Sequence, residues 1–171
     1  TVTQGAEYFE AVRVAMNEGY GTPKGLEDFC RKGYAMNYNS ARGMYEAYGR
    51  NKYDASGITT WKYNAAWPAA MTWQYVDWYL RPTAAYHGAK KACQPLHVQY
   101  AYDDAGVYVV NSYRKPFSDL DVKAEIYDFD LQKRYENEAR VSVGPDGIVK
   151  AFTVERPEGL KATHFLKLEL R

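Results

Sequence analysis

The chain has 171 residues, and its 22 basic and 21 acidic side chains leave a formal net charge of +1. The charges are spread evenly, so the concentrated positive field of a nucleic-acid binder is missing, and no apolar run approaches the roughly 20 residues that cross a bilayer. Neither nucleic acid nor a membrane is therefore expected as a partner.

The length suits one domain or parts of two. Hydrophobic content is 46%, and 17 tyrosines mean that aromatic side chains carry much of the burial. Cys30 and Cys93 are the only cysteines and fall on separate predicted helices. They are expected as a reduced, buried pair rather than a disulfide framework.

The first predicted element is a helix over 3–18, with Phe9, Val12 and Met16 on one face. Gly19-Tyr20-Gly21 closes it. Thr22-Pro23 then reads as an N-cap followed by the proline-tolerant first helical position. The second helix runs to about Tyr48, with Leu26, Phe29, Cys30, Met36, Ala41 and Met44 as candidate buried positions. Glu27 with Arg31 and Asp28 with Lys32 are favourable pairs four residues apart. Gly33 and Gly43 each cost about 1 kcal/mol against alanine, which points to a kink or a close helix contact at one of them.

After a turn at 49–52 comes the densest aromatic stretch, 57–95, which holds all four tryptophans: Trp61, Trp67, Trp73 and Trp78. Its β-branched and aromatic residues at 58–63 suit a strand. Asn64 to Pro68 break the run, and a third helix is expected from a Thr83 cap to Cys93, with Lys90 and Lys91 at its negative end. A strand, a long loop and a helix make one βα unit of an α/β barrel, whose function sits on the loop at the strand's carboxyl end.

Beyond Pro95 the period changes to two. Leu96, Val98 and Tyr100 alternate, then 107–110, then Leu120, Val122, Ala124 and Ile126, then Ala139, Val141 and Val143. Gly144-Pro145-Asp146-Gly147 is a strong turn signal, and Leu166, Leu168 and Leu170 alternate at the end. About six short strands at this rhythm indicate an antiparallel β-sandwich of immunoglobulin-like size.

The block Gly57-Ile58-x-x-Trp61-x-x-Asn64-x-x-Trp67-Pro68, then Trp73, Asp77 and Tyr79-Leu80-Arg81-Pro82, then Ala85-Tyr86 through Gly88-Ala89-Lys90-Lys91-Ala92 to Pro95-Leu96-His97-Val98-Gln99-Tyr100, resembles glycoside hydrolase family 2. The resemblance is to its branch of exo-β-D-glucosaminidases and endo-β-mannosidases. Tyr102-Asp103-Asp104 and Val109-Val110-Asn111 continue it. The resemblance implies that 1–95 is the C-terminal part of a (β/α)8 TIM-barrel catalytic domain and 96–171 a partial immunoglobulin-like β-sandwich. It also implies a chain incomplete at both ends, because one parallel strand cannot make a sheet and a full sandwich of this kind needs about seven strands.

Retaining glycosidases use two carboxylates about 5–5.5 Å apart. In the family both are glutamates on barrel strands that would precede Thr1, so the resemblance implies that this piece has no catalytic residue and is inactive alone. Asn17-Glu18 and Asn137-Glu138 imitate the family's Asn-Glu pair but fall at a helix end and in a sandwich strand. Asp103-Asp104 reads as a turn. Trp61, Asn64 and Trp67 are the candidate substrate-binding residues: an indole stacks on the apolar face of a sugar while an amide exchanges hydrogen bonds with hydroxyls. Trp61 as barrel core and Trp67 as a lid are the alternatives, with Trp73 and Trp78 assigned to packing.

Lys62 departs from the family, which often has methionine there; facing the site it would favour an acidic sugar or repel an amino sugar. Asp77 reads either as a counter-charge to an amino group or as a structural cap. His87, His97 and His164 lack metal-ligand spacing, and no phosphate loop or other cofactor motif is present, so no metal or cofactor is expected. The partners implied are a carbohydrate substrate, the remainder of the parent chain and, through unpaired strand edges, further copies. The family resemblance implies a secreted or periplasmic enzyme. A non-catalytic carbohydrate-binding or scaffold module is the alternative function.

Overall fold

The computed structural model describes the backbone of residues 2–68 and 74–171, with side chains from Phe9 onward. Among the described residues it forms three helices, α1 (Val2–Tyr20), α2 (Leu26–Arg50) and α3 (Ala84–Ala92), and six strands. The strands are β1 (Leu96–Tyr100), β2 (Gly106–Asn111), β3 (Phe117–Tyr127), β4 (Lys133–Val143), β5 (Ile148–Thr153) and β6 (Phe165–Leu170). This is a mixed α and β chain that divides into two compact units, one of residues 1–45 with 58–91 and one of 46–57 with 92–171.

In the first unit α1 carries Met16 inward, 1% exposed, with Phe9 and Val12 more open. α2 starts later than the Thr22-Pro23 signal suggests. Gly25 supplies the first helical carbonyl, to Phe29, and the Lys24 amide donates to Asp28 Oδ2 at 2.9 Å. The carboxylate of the first turn so ties down the backbone that enters the helix. The Glu27–Arg31 and Asp28–Lys32 pairs form. Of the candidate buried positions on α2 only Ala41 is fully buried; Leu26 is 80% exposed, Phe29 and Met44 are exposed, and Met36 is partly covered. Cys30 and Cys93 are free and both exposed, not buried. The described residues cover the amphipathic pattern at Ala41 and in part at Met36, and leave it open at Leu26, Phe29, Cys30 and Met44.

α3 packs on α2 so closely that a Cβ on Gly88 would lie 2.3 Å from the Tyr38 carbonyl oxygen. Thr83 holds the N-cap position, its carbonyl accepting from the His87 amide at 3.4 Å, but its side chain does not cap the helix. Asn37 Oδ1 accepts from the Ala85 amide at 2.7 Å, while the Thr83 hydroxyl donates to the Gln74 and Tyr75 carbonyls at 3.1 Å. Local sequence names the nearest hydroxyl; tertiary packing brought a better acceptor.

Residues 58–63 form no regular strand. A strand needs a neighbour to ladder with, and the first unit offers none among the described residues; Asn64 makes a single parallel bridge to Val76.

The second unit holds two three-stranded antiparallel sheets, β1-β2-β5 and β4-β3-β6. The five strands placed by the sequence are all present, and the sixth is β5, for which the sequence reading gave no position. Val107 and Val109 from one sheet and Leu120, Val122, Ala124 and Ile126 from the other enclose one core, with Val143 and Val154. Leu96, Val98 and Tyr100 pack against it, as the alternation requires. The turn after β4 closes through the Gly147 amide to the Gly144 carbonyl at 3.2 Å, with Asp146 at φ 48°.

The opposite face of β1 differs from the usual solvent face. His97 and Gln99 are 3% and 2% exposed, because the last turn of α2 and the residues after it cover them. Gln99 Nε2 donates to the Glu46 carbonyl at 2.8 Å, Lys52 Nζ donates to the Asn111 carbonyl at 2.6 Å, and the Tyr53 hydroxyl bonds Asp146.

Candidate functional site

The loop after Trp61 is built from backbone pairings within the first unit. The Tyr63 carbonyl accepts from the Tyr75 and Val76 amides at 3.0 and 2.9 Å, and Thr83 N donates to Tyr75 O at 2.9 Å. These bonds set Tyr63 beside Tyr75 and Val76 and bring Asn64, Val76 and Pro82 side by side.

Trp61 is 84% exposed and Trp67 65%. Trp61 is thus not a buried core residue of this unit, and both indoles are open to a ligand. The Trp61–Lys62 peptide bond is cis. Lys62 Nζ sits over the Trp67 ring, 5.9 Å from its centroid, where the ring's negative face attracts it. Asn64 is exposed, and among the described residues its side chain makes only a 3.5 Å contact to the Ala65 carbonyl. Its amide retains most of its hydrogen-bonding capacity for a ligand. Trp73 lies outside the described residues; Trp78 is 46% exposed and so only half packed.

Asn64 also lines a cleft of about 360 Å³ with Tyr63, Val76, Leu80, Pro82 and Tyr86. Of the three candidate residues only Asn64 belongs to it. The Tyr79-Leu80-Arg81-Pro82 run contributes to its wall, yet nothing in its spacing points to a cleft; the bridge from Val76 to Pro82 creates it.

Asp77 is a structural cap. Its Oδ1 accepts from the Arg81 amide at 2.9 Å and its Oδ2 from Arg81 Nε at 2.7 Å. The Arg81 amide, and then its guanidinium against the opposing effect of desolvation, hold the Asp77 carboxyl below the usual range.

The imitation carboxylates take structural places. The Asn17 backbone carbonyl accepts the closing amide of α1 from Gly21, and on β4 Asn137 and Glu138 stand opposite Ala124 and Lys123. Asp103 pairs with Arg50, while Asp104 accepts from the Gly106 amide, the Tyr108 hydroxyl and Lys150. Among the described residues no group of histidine, cysteine, aspartate and glutamate is arranged to hold a metal.

No family model matches the chain. It is 40% identical over 158 residues to the exo-β-D-glucosaminidase of Streptomyces avermitilis, a match that covers 88% of this chain and 17% of that enzyme. It is 30% identical over 112 residues to the mannosylglycoprotein endo-β-mannosidase of Lilium longiflorum, covering 65% of this chain and 12% of that one. The crystal structure of Amycolatopsis orientalis exo-chitosanase CsxA superposes with a TM-score of 0.84 at 34% identity, over 92% of this chain and 19% of that one. This chain is similar, over nearly its whole length, to exo-β-D-glucosaminidases. The resemblance drawn from the Trp61 to Tyr100 block is thereby shown, and the similar proteins are glycoside hydrolases. The chain spans about one sixth of the length of the curated relatives it matches.

Proposed function

We propose that this chain is part of a retaining exo-β-glycosidase of family 2 type that hydrolyses β-glucosaminide or β-mannoside bonds in poly- or oligosaccharides. In this reading 1–95 is the end of a TIM-barrel catalytic domain and 96–171 an immunoglobulin-like sandwich. The observation that carries it is the 40% identity to an exo-β-D-glucosaminidase across 88% of the chain.

Two features of the molecule support the same reading. Trp61, Asn64 and Trp67 expose two indoles and a largely unused amide on one loop, the groups that a sugar's apolar face and hydroxyls call for. Leu26, Phe29 and Tyr34 are exposed on α2, an apolar face that the remainder of the parent chain would cover. The two catalytic carboxylates are supplied by that remainder, so the 171-residue chain contributes sugar-site wall and accessory domain and turns over nothing alone.

The test is hydrolysis of aryl β-glucosaminide and β-mannoside by the full gene product and by the 171-residue chain. Turnover of one by the full product, and of neither by the short chain, is the expected result. If the full product hydrolyses neither yet binds oligosaccharide through Trp61 and Trp67, the protein is a non-catalytic carbohydrate-binding module.

A further inference from the structure

Three loops of the second unit meet at one end of its two sheets. Residues 101–105 join β1 to β2, 128–132 join β3 to β4, and 154–164 join β5 to β6. The Val154 amide donates to the Ala105 carbonyl at 2.8 Å, and the Phe129 ring lies 5.9 Å from that of Phe165, their planes 25° apart. Phe129, Leu131 and Phe165 are 65%, 70% and 49% exposed, an apolar patch open to water.

The patch is held in place. Asp128 Oδ1 accepts from the Asp130 and Gln132 amides at 3.0 and 2.9 Å, its Oδ2 accepts from Arg134 Nε at 2.7 Å, and Leu131 N donates to the Asp128 carbonyl at 3.1 Å. Leu131 sits at φ 59° in this turn, a left-handed conformation that a leucine adopts at a cost. Phe165 is fixed from the other side by its place opposite Tyr127 in the β3–β6 ladder. Aromatic rings fixed in this way give up little freedom when a ligand stacks on them.

Polar groups are interleaved with the patch. The Asp130 side chain, between Phe129 and Leu131 in sequence, is exposed, and the Gln132 amide makes only a 3.5 Å contact to the Asp130 carbonyl. The three loops carry Asp103, Asp104, Asp128, Asp130, Glu155 and Glu158 against Arg156 and Lys161. Arg50 pairs with Asp103, Lys150 with Asp104 and Arg134 with Asp128. Asp130, Glu155 and Glu158 have no ion pair among the described residues, which leaves this end with a small negative excess. Exposed ring faces beside an unmatched carboxylate complement an amino sugar, which offers apolar C–H faces and an ammonium group.

We propose that this end of the sandwich binds a chain of β-linked glucosamine, with pyranose C–H faces on Phe129 and Phe165 and an ammonium group at Asp130. The proposal rests on the glycosidase reading above, which makes a sugar chain the expected ligand, and it selects the cationic sugar.

The test uses the full gene product in affinity electrophoresis through soluble polyglucosamine and through neutral β-mannan, with kinetics on polyglucosamine and on an aryl β-glucosaminide, which has no chain to hold. Polyglucosamine is expected to retard the protein more than β-mannan does. Phe129→Ala is expected to weaken that retardation and to lower kcat/KM on the polymer about tenfold, roughly the effect of one lost apolar contact, with the aryl substrate unaffected. Asp130→Asn, an exposed change that keeps the side chain's shape, is expected to lower it about two- to fivefold. Retardation equal in the two polymers, or unchanged in both variants, overturns the proposal, as does an equal loss on polymer and aryl substrate. If the unaltered protein turns over neither substrate, the glycosidase reading falls, and the retardation of the variants still decides whether this surface binds the chain.

Discussion

Glu46 Oε1 on the last turn of α2 lies 2.9 Å from His97 Nε2 on β1, and the two side chains are 6% and 3% exposed. The pair seals a polar seam between that turn and the outward face of the first sheet. Removing one partner leaves the other buried without this bond, which costs about 1–3 kcal/mol. Glu46→Ala is expected to lower the urea midpoint of the second unit accordingly. Glu46→Gln keeps a side-chain amide, able to donate or accept, against the histidine ring and should cost only about 1 kcal/mol. Equal losses for the two variants would mean that the seam is held by shape rather than by this bond.

Two glycines on the helices are expected to respond in opposite senses to alanine. At Gly88 the added methyl meets the Tyr38 carbonyl oxygen at 2.3 Å and the Arg42 nitrogen at 3.1 Å, backbone atoms that cannot yield. Gly88→Ala should destabilise the first unit by about 1–3 kcal/mol or more. At Gly33 the nearest atom is the flexible Met16 Cε at 3.7 Å, an ordinary contact. Gly33→Ala should therefore gain about 0.5–1 kcal/mol from helix propensity. Thermal unfolding of both variants checks the pair.

Glu125 is nearly buried on the outer face of β3, ringed by Lys123, Lys133 and Lys167 at 3.2 Å each. Desolvation pushes its carboxyl up, but hydrogen bonds from Lys167, Lys123 and Lys133 outweigh that and hold it at about 2. A carboxyl depressed in the folded state stabilises above its unfolded value and loses that stabilisation as pH falls toward its folded one. The contribution is therefore complete above the ordinary value of 4.5 and disappears between there and about 2. Acid titration of stability should show a fall in this window that is smaller in Glu125→Gln, and that variant should also be less stable at neutral pH, where three ammonium groups lose their common partner.

If Trp61 stacks on the terminal sugar, Trp61→Ala in the full gene product forfeits the burial of a large apolar side chain, about 1.5–3 kcal/mol. That corresponds to a roughly ten- to hundredfold fall in kcat/KM. Steady-state kinetics on an aryl glycoside measure it, and an unchanged value would return Trp61 to a packing role.

The second unit was the more legible in the sequence because its information is local. Period-two patterning marked every strand but β5, and Gly144-Pro145-Asp146-Gly147 marked the turn between β4 and β5. The helices of the first unit were legible for the same reason. What escaped depended on partners far along the chain. His97 and Gln99 fell on the polar side of an alternating strand, and their burial follows from Glu46, 51 residues before His97. Thr83 stands at the N-cap as the sequence suggests, but the side-chain acceptor there is Asn37, 48 residues away from Ala85. Residues 58–63 carry the composition of a strand, but a strand is a relation between two segments, and no second one stands beside it among the described residues. At the candidate site the indoles and Asn64 were readable as residue types suited to sugar; the cleft beside them required the fold-back of Val76 onto Asn64 and Pro82.

The second unit is discontinuous in sequence, since residues 46–57 belong with 92–171. A recombination event that carried only the gene segment downstream of Pro95 to a new neighbour would leave behind Glu46, Lys52 and Tyr53. The transplanted sheet would then present His97, Gln99 and the Asn111 carbonyl to solvent, stripped of the partners they have here. Inheritance of this module is therefore tied to inheritance of the end of α2, and the two are expected to travel together through evolution as one genetic block.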